Sequence, residues 1–178
     1  MQYFETFPKL FYDVDGTGDY KIVTDILRRF KARKSITDQI VFFDKYEVKD
    51  GEKPEQVSHK FYGSTDYHWV VLSINNISDR YYDWPLSFQD FEAFVKDKYS
   101  NPDGIHHYEV TRSSGKSTGN GPDDYSHKIE VNSDATGAQS VSNREFEQRL
   151  QDRKRLIKLL NPAYLNTFIQ EFNNLVRN

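Results

Sequence analysis

The sequence predicts an α+β fold: a small βααβ module with an N-terminal strand/helix extension and C-terminal amphipathic helices. Three observations carry this. A β-rich stretch, Ile40 to Val48 (IVFFDKYEV), runs into two helical patterns with clear start and stop signals. The last forty residues repeat apolar side chains at helical spacing. A Ser/Gly/Asp-rich stretch separates these regions and carries no helical period.

The elements follow in order. Residues 1–23 are aromatic with short periods, and Asp15-Gly16-Thr17-Gly18 is turn chemistry, so short strands flanking a turn are expected. Thr24 then caps a short helix through Ile26, Leu27, Phe30 and Ala32. After the Ile40–Val48 strand and the Lys49-Asp50-Gly51 turn, Pro54 sits at the first helical position, Val57 and Phe61 mark a buried stripe, and Gly63 ends the helix. A second helix, capped near Ser64 or Thr65, carries Tyr67, Val70, Val71 and Ile74 at i, i+3, i+4, i+7. Trp69 and Leu72 make it apolar almost all round. Asn75-Asn76 stop it, and a short strand is expected within Ile77 to Leu86 to close the module. Ser87 caps a third helix with Phe88, Phe91, Phe94, Val95 and Tyr99 facing inward.

His106 to Val110 reads as a strand, and His127 to Val131 as its returning partner across the polar residues 112–126. Residues 132–141 are again small and polar. Ser142-Asn143-Arg144-Glu145 is a capping box. It opens a helix with Phe146, Leu150, Ile157 and Leu160 in a near-heptad stripe. Asn161-Pro162 ends it and starts a last helix bearing Leu165, Phe168, Ile169, Phe172, Leu175 and Val176. The segments are therefore 1–39 (strand/helix extension), 40–100 (βααβ module with the following helix), 101–141 (hairpin or flexible insertion) and 142–178 (helical arm).

Composition narrows the function classes. There are 24 Lys+Arg against 27 Asp+Glu, a net charge of −3, so no basic field favours nucleic acid. The charge is uneven: Val141 to Asn178 carries seven basic and four acidic residues, leaving an acidic body. With no Cys there is no disulfide, thiolate zinc site or Cys nucleophile. No apolar run suits a membrane span, and MQYFETFPKLFYDVDG lacks the basic and apolar regions of a signal peptide. Aromatic content is high, 15% with 13 Phe and 12 Tyr, in a chain of modest apolar content. That balance suits burial completed against partners.

Several motifs imitate catalytic or ligand sites. Asp13-Val14-Asp15-Gly16-Thr17 matches the DxDGT signature of haloacid-dehalogenase-like phosphatases, but no downstream Lys and acidic pair on a strand end accompany it; an Asp/Gly turn is the simpler reading. As a calcium loop it fails at its twelfth position, Thr24. Gly115-Lys116-Ser117-Thr118 resembles the end of a phosphate loop without the first glycine or the helix. His59, His68, His106, His107 and His127 form no ligand pair with an acidic residue. No catalytic residue, metal or cofactor is expected.

The strand-helix-helix order of Val41 to Leu86 looks like a LysM module. More specifically, Tyr62-Gly63, then Tyr67 to Asn76 (YHWVVLSINN), then Asp79 to Leu86 (DRYYDWPL), resembles a block of the baseplate wedge protein 53 family of contractile-tailed bacteriophages. Phe7-Pro8 to Tyr12, Thr24-Asp25-Ile26, and the basic-apolar run Arg153 to Pro162 with the final helix add to the likeness, which covers roughly 1–111 and 142–178.

The resemblance implies a structural role as a clamp between neighbouring wedges of a six-fold baseplate. Partners would be other wedge subunits, namely helical-bundle wedge proteins and a sheath-initiator-like wedge protein, with multiple copies in the virion after assembly in the host cytoplasm. Nucleic acid and membrane are not implied partners. A clamp needs two faces. One is expected on the module's aromatic edge, Tyr62, Tyr67, Trp69, Tyr81, Tyr82 and Trp84, although Trp69 and Trp84 should be at least half buried. The other is expected on Phe146, Leu150, Ile157, Phe168, Phe172 and Leu175 of the helical arm. Arg149, Arg153, Lys154, Arg155 and Lys158 would steer acidic partner surfaces or form an ordinary solvated helix face. The competing readings are a LysM-type peptidoglycan-binding protein and a phosphatase built on Asp13 and Asp15.

Overall fold

The computed structural model describes residues 3–28, 40–116, 118–119 and 121–177. Contacts divide the chain into two units, Met1–Pro85 with Lys154–Asn178, and Leu86–Arg153. The second unit is thus inserted into the sequence of the first.

The first unit begins with a 3-10 turn, Tyr3–Thr6, and a hairpin of β1 (Lys9–Asp13) and β2 (Tyr20–Thr24). The strands are antiparallel, with Lys9 opposite Thr24, Phe11 opposite Ile22 and Asp13 opposite Tyr20. The Asp13 carboxylate organises the connection. It accepts backbone N–H groups from Asp15, Gly16, Thr17 and Gly18 at 3.2, 2.8, 3.2 and 2.7 Å. Gly16 and Gly18 supply the positive φ angles of 68° and 86° that this loop needs. Thr24 ends β2 rather than capping a helix, and Ile26-Leu27 form a turn. The predicted helix positions Phe30 and Ala32 lie outside the described residues.

A 3-10 turn, Ile40–Phe42, leads into β3 (Phe43–Glu47). Helix α1 (Pro54–Tyr62) starts at Pro54 and stops at Gly63, whose φ is 75°. The Gln56 side chain accepts the Lys53 N–H at 2.8 Å, which satisfies one donor at the helix start. A 3-10 turn, Thr65–Tyr67, is capped by Ser64 and passes into α2 (His68–Ile74).

The closing strand differs from expectation. Ile77 to Leu86 forms turns, not a strand. The partner of β3 is β7 (Leu156–Leu160), antiparallel, with Phe43 opposite Leu160 and Glu47 opposite Leu156. These residues were expected to continue a helix. A short apolar run fits either element, and tertiary burial decides. In the strand, Ile157 and Leu159 point inward with 4% and 0% exposure, while Leu156 and Lys158 point out. Asn75 ties α2 to this strand. Its Nδ2 donates to the Lys158 carbonyl at 2.8 Å and its Oδ1 accepts the Lys158 N–H at 2.8 Å.

Asn161 caps the 3-10 turn Pro162–Tyr164, which leads into α5 (Leu165–Arg177). Two apolar clusters hold the unit. Phe7, Trp69, Val70, Ile74, Leu160, Leu165, Phe172 and Val176 form one. Val48, Val57, Val71, Trp84, Ile157 and Leu159 form the other. Helix α2 contributes to both, which explains why it is apolar on nearly every side.

The second unit contains α3 (Phe88–Lys98), a three-stranded antiparallel sheet ordered β5-β4-β6, and α4 (Asn143–Arg155), whose last two residues belong to the first unit. The strands are β4 (Ile105–Arg112), β5 (His127–Val131) and β6 (Gln139–Ser142). Strands β4 and β5 lie where the sequence predicts them, and β6 lies in a stretch whose small polar residues predict a loop. Its one apolar residue, Val141, is 1% exposed. In α3, Phe91 and Val95 are buried as expected, whereas Phe88 and Phe94 are exposed. Helix α4 stops at Arg155, well short of the predicted length. Its start is as read: the Ser142 Oγ accepts the Glu145 N–H at 3.1 Å.

Candidate interaction surface

The residues expected at an interface fall into three groups. Trp69, Trp84, Ile157 and Phe172 are buried in the chain's own core, with exposures of 6% or less. Trp69 lies 4.5 Å from Phe172 between ring centroids, and Phe168 packs on it at 6.1 Å. The Trp84 Nε1–H donates to the Glu52 carbonyl at 2.8 Å. The burial of Trp69 and Trp84 agrees with the expectation, whereas Ile157 and Phe172 are core rather than an uncovered stripe: the apolar face of α5 packs on Tyr3, Phe7 and Trp69, which the sequence pattern alone could not pair with it.

A second group is half buried: Tyr62, Tyr67, Phe146, Leu150 and Phe168. Phe146 stacks on His106 with centroids 3.9 Å apart and planes at 11°. The third group is exposed. Tyr81 and Tyr82 are 79% and 75% accessible, and Leu175 is 63%.

The tyrosine pair sits on a hydrogen-bonded loop. Asp79 Oδ1 accepts the Tyr81 N–H at 2.8 Å and the Tyr82 N–H at 3.4 Å. Asp83 Oδ2 accepts the N–H groups of Ser78 and Asp79 at 3.3 and 3.2 Å. The Lys154 ammonium donates to the Tyr82 carbonyl, and Arg80 pairs with Glu55 at 2.7 Å. Two aspartates thus take up the loop's backbone donors, and two large amphipathic rings are held out into water.

The basic residues of the arm are largely engaged within the chain. Lys154 holds the tyrosine loop, and Arg155 reaches Asp50 at 3.7 Å. Arg149 grips the buried Glu109 with two bonds of 2.7 and 2.9 Å, and Lys128 adds a third contact. The Arg149 guanidinium, with burial opposing it and Lys128 assisting, holds the Glu109 carboxyl well down, at about 2.

Sequence reasoning missed one surface. On the hairpin, Phe11, Tyr20 and Ile22 are 72%, 64% and 67% exposed, and Val14 and Leu27 are similarly bare. Short aromatic strands around a turn were legible, but which face lacked a cover was not.

An open cavity of about 540 Å³ lies beside α1, lined by Lys49, Asp50, Glu52, Glu55, His59 and Lys60 among others. Its charges are partly paired: Lys60 contacts Glu52, which Tyr46 also bonds at 2.9 Å. Burial would raise the Glu52 carboxyl, but Lys60, the Lys49 N–H and Tyr46 outweigh it and hold it below its ordinary value. No Phe, Tyr or Trp side chain is among the residues lining this cavity. Among the described residues, no group of three or more His, Asp and Glu side chains gathers as a metal site would. Asp13, the nucleophile of the phosphatase reading, spends its carboxylate oxygens on the hairpin loop.

Comparison with known proteins places this geometry in context. The family model described as base plate wedge protein 53 matches residues 4–117. That span includes the Tyr62 to Leu86 block and excludes α4, β7 and α5. The baseplate wedge protein gp53 of Enterobacteria phage T4 is 30% identical over 83 residues, 46% of this chain and 42% of the relative. The matched region therefore spans less than half the length of that relative.

Proposed function

The chain belongs to the base plate wedge protein 53 family, and on that premise we propose that it is a structural subunit of a phage tail baseplate that clamps neighbouring wedge subunits together. Its partners are other baseplate wedge proteins, it works in several copies within the virion, and it performs no catalysis. The observation that supports this reading best is the aspartate-capped loop that presents Tyr81 and Tyr82. A preorganised pair of exposed tyrosines offers large contact area with little ordering cost on binding, as interface anchors do. The order strand, helix, helix, strand, completed by β7, supports treating β3, α1, α2 and β7 as a LysM-like module used for protein contact. A peptidoglycan ligand fits less well, because the cavity beside α1 is walled largely by charged side chains and no Phe, Tyr or Trp lines it for a sugar to stack on.

The test is co-expression with the other wedge genes of the source phage, followed by size-exclusion chromatography. The wild-type chain is expected to co-elute in a stoichiometric complex. The double variant Tyr81→Asp, Tyr82→Asp is expected to elute alone while melting at the wild-type temperature, since both rings are exposed. Co-elution of that variant would remove the loop from the interface. A lone monomer that instead binds purified peptidoglycan would replace the clamp by the wall-binding reading.

A further inference from the structure

The β1–β2 hairpin is a two-stranded sheet, and among the described residues no third strand joins it. Its hydrogen-bond phase follows from one bond. The Asp25 N–H donates to the Pro8 carbonyl at 2.9 Å, one residue beyond the Lys9–Thr24 pair. Pairs in an antiparallel ladder alternate, so Leu10–Val23 and Tyr12–Lys21 are also hydrogen-bonded pairs. Lys9, Phe11 and Asp13 therefore turn their backbone N–H and C=O groups away from β2, toward a free edge.

The side chains on that edge read Lys9-Leu10-Phe11-Tyr12-Asp13. We propose that β1 is a self-docking edge, through which two copies of this chain pair antiparallel about a two-fold axis at Phe11. In this register Lys9 faces Asp13 of the second copy and Asp13 faces its Lys9. Leu10 faces Tyr12, and Phe11 faces Phe11. Every pair is complementary, and the outward backbone groups of residues 9, 11 and 13 fall opposite one another as hydrogen-bonded pairs. The contact is isologous.

Both charges stand at this edge, although the Asp13 oxygens also accept the loop N–H groups. The N–H of Gly18 first, against the opposing effect of burial, and then those of Gly16, Thr17 and Asp15 hold the Asp13 carboxyl below the usual carboxylate range. Among the described residues, Lys9 donates to the neutral Thr24 hydroxyl at 2.6 Å. The β2 edge lacks this match. Centred on Ile22, it would set Lys21 against Val23 and gain no ion pair. Phe11, at 72% exposure, and Tyr12, at 55%, would also leave water. One five-residue strand covers less than the ~1,200 Å² of a stable interface, so the association is reversible and concentration-dependent. It holds or fails independently of the baseplate reading.

The experiment uses the full chain alone. Sedimentation velocity across a concentration series is expected to show monomer passing to dimer. Lys9→Glu sets two carboxylates against two others and is expected to weaken the dimer roughly tenfold. The chain has no native Cys, so Phe11→Cys places a single thiol on the axis. Hydrogen-bonded partners have Cα atoms about 5.5 Å apart, within disulfide reach. Under mild oxidation Phe11→Cys is expected to give a covalent dimer, and Leu27→Cys, at a position 87% exposed, is not. A chain that stays monomeric throughout and gives no Phe11→Cys dimer would overturn the proposal. So would self-association untouched by Lys9→Glu, equal cross-linking from Leu27→Cys, or saturable pairing of this edge with a different protein's strand but never with itself.

Discussion

Trp69 and Trp84 are both almost fully buried, yet their indole N–H groups differ. The Trp84 Nε1 donates to the Glu52 carbonyl at 2.8 Å, while the buried Trp69 Nε1 finds no hydrogen-bond partner among the described residues. Replacing each by Phe removes similar ring volume, but only Trp84→Phe also breaks a bond and leaves a carbonyl unpaired. Trp84→Phe is therefore expected to cost about 1–2 kcal/mol more than Trp69→Phe, measured by urea denaturation. Equal losses would show that the Glu52 bond contributes nothing net. Glu109 supplies a prediction about pH. Its carboxyl is lowered from 4.5 to about 2 by Arg149 first and by Lys128 as well. A group whose folded value is depressed stabilises fully above its unfolded value and progressively less as pH falls through the folded one. The Leu86–Arg153 unit should thus hold constant stability above about pH 5 and lose it between about pH 4.5 and about pH 2. Glu109→Gln should lower stability at neutral pH and flatten that acid slope, read by the circular dichroism of the unit's unfolding. An unchanged slope would contradict the assignment.

The element least legible in the sequence was β7. Helix ends were readable because their signals are local: Pro54 and Gly63 bound α1, Ser87 caps α3, and Asn161-Pro162 open the last turn. The hairpin was readable from its Asp/Gly loop. Leu156 to Leu160 carried no such punctuation, and its partner Phe43 to Glu47 lies more than a hundred residues away. Only the fold brings them together. The same distance hid the closure of α5 over Tyr3 and Phe7, so a stripe expected at an interface is a core. The strand assignment is testable by its period of two. Leu159→Asp buries an unpaired charge and is expected to cost more than about 4 kcal/mol, while Leu156→Asp, at a 71% exposed position, should cost less than about 1 kcal/mol. Asn75→Ala breaks both bonds to Lys158 and should cost about 1–2 kcal/mol by the same denaturation assay. Similar losses for the two leucine variants would favour a helix over a strand.

At the scale of the whole molecule, the first unit is completed only after the chain has passed through the second, since Lys154–Asn178 supplies β7 and α5. The family match ends at residue 117 and so omits the strand that closes the β3 sheet. Of the surface, Tyr81 and Tyr82 were legible as part of a distinctive block, but their support by Asp79 and Asp83 was not, because short loop caps are indistinguishable in sequence from solvated acids. The exposed hairpin face escaped for the opposite reason: apolar and aromatic side chains normally signal burial, and here the described residues leave them bare. The central claim, that this chain works as an assembly subunit through its presented tyrosines, is met most directly by complementation. A phage lacking the gene is supplied with the wild-type chain or with Tyr81→Asp, Tyr82→Asp, and plaques are counted beside electron micrographs of the tails. The account predicts that the wild-type chain restores complete baseplates and plaques, while the folded double variant leaves baseplates incomplete. Full restoration by the double variant would contradict it.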